Sequence, residues 1–298
     1  LLLLLGTGAG AADEACLAVV YPQVREPYRS VLEEIVRGVE TSATLRVLRV
    51  VLADEANDTQ ARRATRECVA LVGLARAGMD AVQAWRDGRA AVAGAVVLQP
   101  GEIQPVPVIS LVPDPAELLS RLQRFAPKVR RVTVIYDPRN TAALIEHARK
   151  AAQRLGLELI AHPARELREA VPLYEAAFKS FDANNDALWL AQDASTVDEG
   201  SVLPLVLERA WTQKVVVFSS QAGYVRRGVL FSVFPDNTRM GALLEALLRE
   251  CMPTACPDAP VRTLSALKTA VNTRVAARLE LRFDSRDVDM LFPEDARE

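Results

Sequence analysis

From Leu17 onward the chain alternates short apolar, β-branched runs with amphipathic stretches, and the alternation runs through twice. The runs "LAVVYP" (17–22), "RVLRVVLA" (46–53), "CVALVGLA" (68–75), "AAVAGAVVL" (90–98) and "VPVISLV" (106–112) have strand character. Helices are expected at 27–40, up to Glu67, up to Arg86 and at 114–126. After Pro127 the pattern restarts, with strands at 129–136, 157–161, 186–191, 215–219 and 229–234. The helices between and after them fall at 140–155, 166–182, 198–212 and 238–251. Nearly continuous apolar strands separated by helices belong to parallel sheets covered on both faces. Two runs of similar length predict an α/β fold of two Rossmann-like, doubly wound lobes. A closed eight-fold barrel is the alternative that counting alone allows.

The chain has 298 residues, half of them apolar and a quarter charged, with a net charge of −2. That balance offers no basic excess to attract nucleic acid or an anionic membrane. The first residues, "LLLLLGTGAGAADEAC", hold five leucines, whereas a bilayer span needs roughly 20 apolar residues. They resemble the end of a secretory h-region followed by a small-residue cleavage site near Ala9-Gly10-Ala11. Residues 1–12 are therefore expected to be a signal-peptide remnant, with the mature protein starting near Ala12 or Asp13 and exported to the periplasm. Asp13, three residues before Cys16, disfavours a lipoprotein signal.

The other two cysteines of interest, Cys251 and Cys256 in "CMPTAC", suit a small disulfide loop in an exported protein. Their spacing, with no neighbouring histidine, is poor for zinc. Cys16 and Cys68 border apolar runs and read equally well as buried free thiols.

Open α/β sheets bind ligands beyond the carboxyl ends of their strands. The loops there read "YPQVREPY" (21–28), "ADEANDT" (53–59), "YDPRNT" (136–141), "AQDAST" (191–196), "SSQAG" (219–223) and "FPDNT" (234–238). Their Asp, Gln, Asn, Ser and Thr side chains suit a small polar ligand, and each also suits a helix cap. Dinucleotide, phosphate-loop and nucleophile-elbow glycine motifs are missing from the sequence. The only histidines are His147, inside a helical stretch, and His162, after a strand. Neither belongs to an acid–base pair. The reading is a binder, with no catalytic residue, no cofactor and no metal.

Four stretches, "VRRVTVIYDPRNTAALIEHARKAAQRLGLEL", "DALWLAQDAST", "VVVFSSQAGYVRRGVLFSVFPDNTRMG" and "AVNTRVAARLEL", occur in an order that resembles the ABC-transporter substrate-binding proteins related to tryptophan and tyrosine binders. The resemblance is close from about 105 to 282 and looser before. It implies the type I periplasmic-binding-protein architecture, two lobes joined by a hinge that close around a small ligand such as an amino acid. It also implies lobes of 13–127 plus about 236–262, and of 128–235 plus about 263–298. The expected partners are the small ligand and the permease and ATPase subunits of an ABC transporter, with no nucleic acid and no membrane-embedded segment. The expected ligand-binding residues are Tyr21, Tyr28 and Tyr136 as aromatic faces, Asn140 and Thr141 as donors to a ligand carboxylate, and Asp193 as acceptor from an amino group. Ser220, Gln221 and Asp236 join them from the last two loops. Two features depart from the family pattern. The segment "QPGEIQPVPVISLVPDP" is compressed, which puts any role for Ser110 or Asp114 in doubt, and Gln221 stands where many relatives carry an acidic residue. An exported sensory or scaffold protein with weak or no ligand binding is the alternative, and a two-lobed enzyme a lesser one.

Overall fold

The computed structural model describes residues 15–53, 59–98, 102, 104–256 and 260–293. The signal-peptide expectation for residues 1–12 and the centre of the "ADEANDT" loop lie outside the described residues. The chain opens with β1 (Cys16–Pro22), α1 (Tyr28–Ser42), β2 (Arg46–Leu52), α2 (Thr59–Ala64), β3 (Cys68–Leu74), α3 (Ala75–Trp85), β4 (Ala90–Val96) and β5 (Val108–Pro113). It continues through α4 (Pro115–Phe125), β6 (Arg131–Tyr136), α5 (Pro138–Arg154), β7 (Glu158–Pro163), α6 (Leu167–Ser180), β8 (Asp186–Leu190), α7 (Val202–Gln213) and β9 (Val216–Ser219). Next come α8 (Gly223–Arg227), β10 (Phe231–Pro235), α9 (Asn237–Cys251), β11 (Val261–Leu264), β12 (Leu267–Asn272), α10 (Thr273–Arg278) and β13 (Met290–Phe292).

Among the described residues the strands form two sheets, ordered β11-β5-β4-β3-β1-β2 and β13-β12-β10-β9-β8-β6-β7. The neighbours β1–β2, β1–β3, β3–β4 and β4–β5 run parallel, as do β6–β7, β6–β8, β8–β9 and β9–β10, while β10–β12 is antiparallel. Two open sheets exclude the closed barrel. The apolar strand runs are buried as expected: Leu17 to Val20, Ala70 to Val72 and Ala187 to Leu190 are all at most 2% exposed.

The chain divides into two compact units. One holds the described residues of 1–96, 103–110 and 237–262, the other those of 97–102, 111–236 and 263–298. The first unit takes back α9, which lies on α1 through facing glycines. A Cβ at Gly38 would overlap the Thr238 carbonyl, and one at Gly241 would overlap the Ile35 carbonyl. Glycine is needed on both sides of this approach.

The division differs from the expected junction near Pro127, because α4 groups with the second unit. Phe125 meets Phe231 edge-on at 5.2 Å between ring centres. Arg121 donates to the Thr269 hydroxyl at 2.8 Å and the Leu267 carbonyl at 3.1 Å, and Gln123 donates to the Leu155 carbonyl at 2.7 Å. An amphipathic pattern states that α4 has an apolar face, not which sheet covers it.

Cys251 pairs with Cys256, and Cys16 pairs with Cys68. The second bridge replaces the free thiols expected at those positions. Its cause is register: Cys16 and Cys68 are Cα partners at the amino ends of adjacent strands, 4.4 Å apart, within the span a disulfide bridges.

Candidate functional site

The parallel neighbours β9, β8 and β6 bring their carboxyl ends to one edge of the second unit. Register fixes the row, with Val134 beside Trp189, Trp189 beside Phe218 and Leu190 beside Ser219. Three of the loops singled out in the sequence leave from this edge, and the loop of Asp236 leaves from β10 next to it.

Asp137, fully buried, is the hub of the first loop. It caps α5, accepting from the Arg139 backbone N–H at 2.9 Å. Its other contacts come from the Arg139 guanidinium, at 3.0 Å to Oδ1 and 2.6 Å to Oδ2. These Arg139 bonds, with a further contribution from Ser195, hold the Asp137 carboxyl down at about 2. The expectation that Asn140 caps α5 is thus replaced by Asp137, which precedes the Pro at the first helical position.

Asp193, 6% exposed, ties two loops together. Its Oδ2 accepts from the Asp137 backbone N–H at 2.8 Å and the Thr141 hydroxyl at 3.3 Å, and its Oδ1 accepts from the Ser195 N–H at 3.1 Å. Thr141 is buried and also donates to the Asp137 carbonyl at 3.0 Å. The cap of α7 is Asp198 instead, which accepts from the N–H groups of Gly200, Ser201 and Val202 at 3.0 to 3.1 Å. The Ser201 hydroxyl, the largest cause, and these N–H groups hold Asp198 at about 2.

Tyr136 is half-buried at the end of β6, and Asn140 is exposed, its amide 3.4 Å from both Asp137 Oδ2 and Ser195 Oγ. Ser220 and Gln221 are half-buried after β9, where the Gln221 N–H donates to the Ser219 hydroxyl at 3.1 Å. Asp236 is half-buried and its N–H donates to the Ala266 carbonyl at 2.9 Å. Six of the nine expected residues, Tyr136, Asn140, Thr141, Asp193, Ser220 and Gln221, thus lie on the loops of three adjacent strands. Sequence reading passed over Asp137, Gln192 and Ser195. The signal was present in the unbroken polar runs around them, and a run does not say which member points inward.

The first unit is different. Tyr21 is buried at the end of β1, which pushes its hydroxyl pKa up. It lines a cavity of about 300 Å³ with Pro22, Gln23, Val24, Leu32 and Val51, and with Arg29 and Glu33. Tyr28 does not line it and is 69% exposed. Ser110 is buried within β5. Asp114 caps α4 through the Ala116 N–H and accepts from the Thr263 hydroxyl, each at 2.8 Å.

The family model described as ABC transporter substrate binding protein matches residues 109–286. The chain belongs to this family. It is a family of substrate-binding proteins and not of enzymes, and it implies a small ligand and ABC-transporter partners. Among solved structures, this substrate-binding protein is similar to a ligand-free, open substrate binding protein with adhesive properties from Clostridium difficile. The two are 15% identical over 93% of this chain and 98% of that one, with a TM-score of 0.63. It is also similar to an ABC domain in complex with L-Trp from Streptococcus pneumonia, at 16% identity over 94% and 100% of the two chains and a TM-score of 0.49. A periplasmic ribose ABC transporter protein from Conexibacter woesei matches at 16% identity over 91% and 96%, with a TM-score of 0.49. Comparison with curated proteins gives no match. The fold of this substrate-binding protein is that of the type I periplasmic binding proteins. Among the described residues, no helix is long and apolar enough to cross a membrane, and no three metal-ligating side chains cluster.

Proposed function

We propose that this substrate-binding protein is exported to the periplasm and captures a small ligand there for delivery to an ABC permease and its ATPase. The observation that carries the reading is the second unit's edge, where polar side chains from three loops gather at the carboxyl ends of adjacent parallel strands. Such an edge is where open α/β sheets take ligands. Tyr136, Asn140, Ser220 and Gln221 are the proposed ligand contacts there, with Tyr21 and its cavity as the first unit's share. Thr141 and Asp193 serve as the frame that holds the loops, since their polar atoms are already bonded to protein. Asp114 and Ser110 are left out of the site. Native mass spectrometry of freshly purified protein tests the reading: a retained small molecule supports it, and Asn140→Ala should lower its occupancy. Protein that carries no ligand, and that no candidate solute stabilises, rejects it.

A further inference from the structure

We infer that the ligand group received by the second unit is uncharged and rich in hydroxyls, of the sugar or nucleoside type, and is not the ammonium or carboxylate of an amino acid. This rests on the solute-binding reading above. A zwitterion needs a carboxylate to take its ammonium and a cation or an open helix N-terminus to take its carboxylate. At this edge both requirements are already met from within the protein.

The acidic groups are committed. Asp137 is fully buried and saturated by Arg139 and Asn140. Asp193 spends both oxygens on Asp137, Thr141 and Ser195. Asp236, on the neighbouring loop, has a partner as well. The anion-binding positions are filled too. The N-terminus of α5 is occupied by the Asp137 carboxylate and that of α7 by Asp198. The nearest guanidinium, Arg139, is spent on Asp137 at 2.6 Å and on the Arg165 carbonyl at 2.7 Å.

The groups left over are neutral. Tyr136, Gln192, Ser220 and Gln221 make no side-chain hydrogen bond among the described residues. Asn140 and Ser195 are held to each other only loosely, at 3.4 Å. Three primary amides, two hydroxyls and a phenol therefore stand at one edge. An amide presents a donor and an acceptor side by side, which pairs with two adjacent hydroxyls that each donate and accept. The Tyr136 ring adds a face for the flat side of a sugar or base.

Full-length protein, dialysed after purification, is titrated calorimetrically with D-ribose, D-galactose, myo-inositol, adenosine and uridine, and separately with L-tryptophan, L-tyrosine, L-leucine and L-glutamate. The expected result is binding of a neutral probe, or a neutral co-purified mass, with no heat from the amino acids; the sugar and nucleoside arms then identify the source. Gln192→Ala and Gln221→Ala should each weaken the neutral probe roughly tenfold, with an unchanged circular dichroism spectrum showing that each variant folds. Binding of an amino acid at wild-type affinity in both variants overturns the inference and leaves solute capture standing. A neutral probe indifferent to both substitutions also overturns it. Absence of any ligand, co-purified or added, overturns the solute-binding reading and the inference with it.

Discussion

Replacing Gly241 with alanine puts a methyl group where two helices are in backbone contact. The added carbon overlaps the Ile35 carbonyl and lies 2.7 Å from Val39 N and 2.8 Å from Gly38 Cα. None of these is a flexible side-chain end, so α9 must move from α1 by roughly 1 Å to restore ordinary contact. A gap of that size forfeits about a quarter to a half of each dispersion contact across it. The contact face includes Leu32, Ile35, Val36 and Val39 of α1 with Met240, Leu244, Leu247 and Leu248 of α9, all at most 6% exposed. Overpacking typically costs about 1–3 kcal/mol, and strain against backbone on both sides puts this variant at the upper end, about 3 kcal/mol. For a unit of this size that is a fall of about 10 °C in Tm. Thermal and urea unfolding followed by circular dichroism measure it, with Gly223→Ala as control because a Cβ there meets nothing within 4 Å. A Gly241→Ala protein within about 1 kcal/mol of the parent would show that the helices are not locked at this crossing.

Three further outcomes are expected. Opening the Cys16–Cys68 bridge by paired serine substitution should cost about 4 kcal/mol and opening Cys251–Cys256 about 2 kcal/mol, because they close separations of 52 and 5 residues; equal urea midpoints for the two variants would contradict the entropy account. Asp193→Asn should lose about 2 kcal/mol of stability, since an amide turns an N–H toward one of the donors that now meet the carboxylate, and an unchanged urea midpoint would show that the tie between loops is dispensable. Asp137 and Asp198, both depressed to about 2 in the folded protein, contribute stability that is fully present above about pH 4 and is lost as the pH falls toward 2. Acid titration of Asp137→Asn should therefore show a shallower loss over that window than the parent, and identical profiles would remove Asp137 from the acid transition.

The sequence by itself determined the elements and their kind. Strands such as 17–22 and 186–190 and helices such as α1 and α5 were legible because apolar spacing and breakers act locally, over one or two turns. The Asp-Pro pairs at 114–115 and 137–138 likewise announced helix starts, and both carboxylates cap the helices they precede. The loops that could carry a ligand followed from the same pattern, since strand direction in a parallel sheet decides which ends gather. Tertiary structure decided the rest. It placed α4 on the second unit through Phe125, Arg121 and Gln123, and it brought Cys16 to Cys68 across adjacent strands. It also decided what Asp193 does. A carboxylate after a strand is equally ready for a ligand ammonium or for backbone donors, and only the fold brings the Asp137 N–H, 56 residues earlier, to 2.8 Å from it. Local spacing encodes which residues are buried, whereas the partner each one meets is settled by contacts distant in the chain.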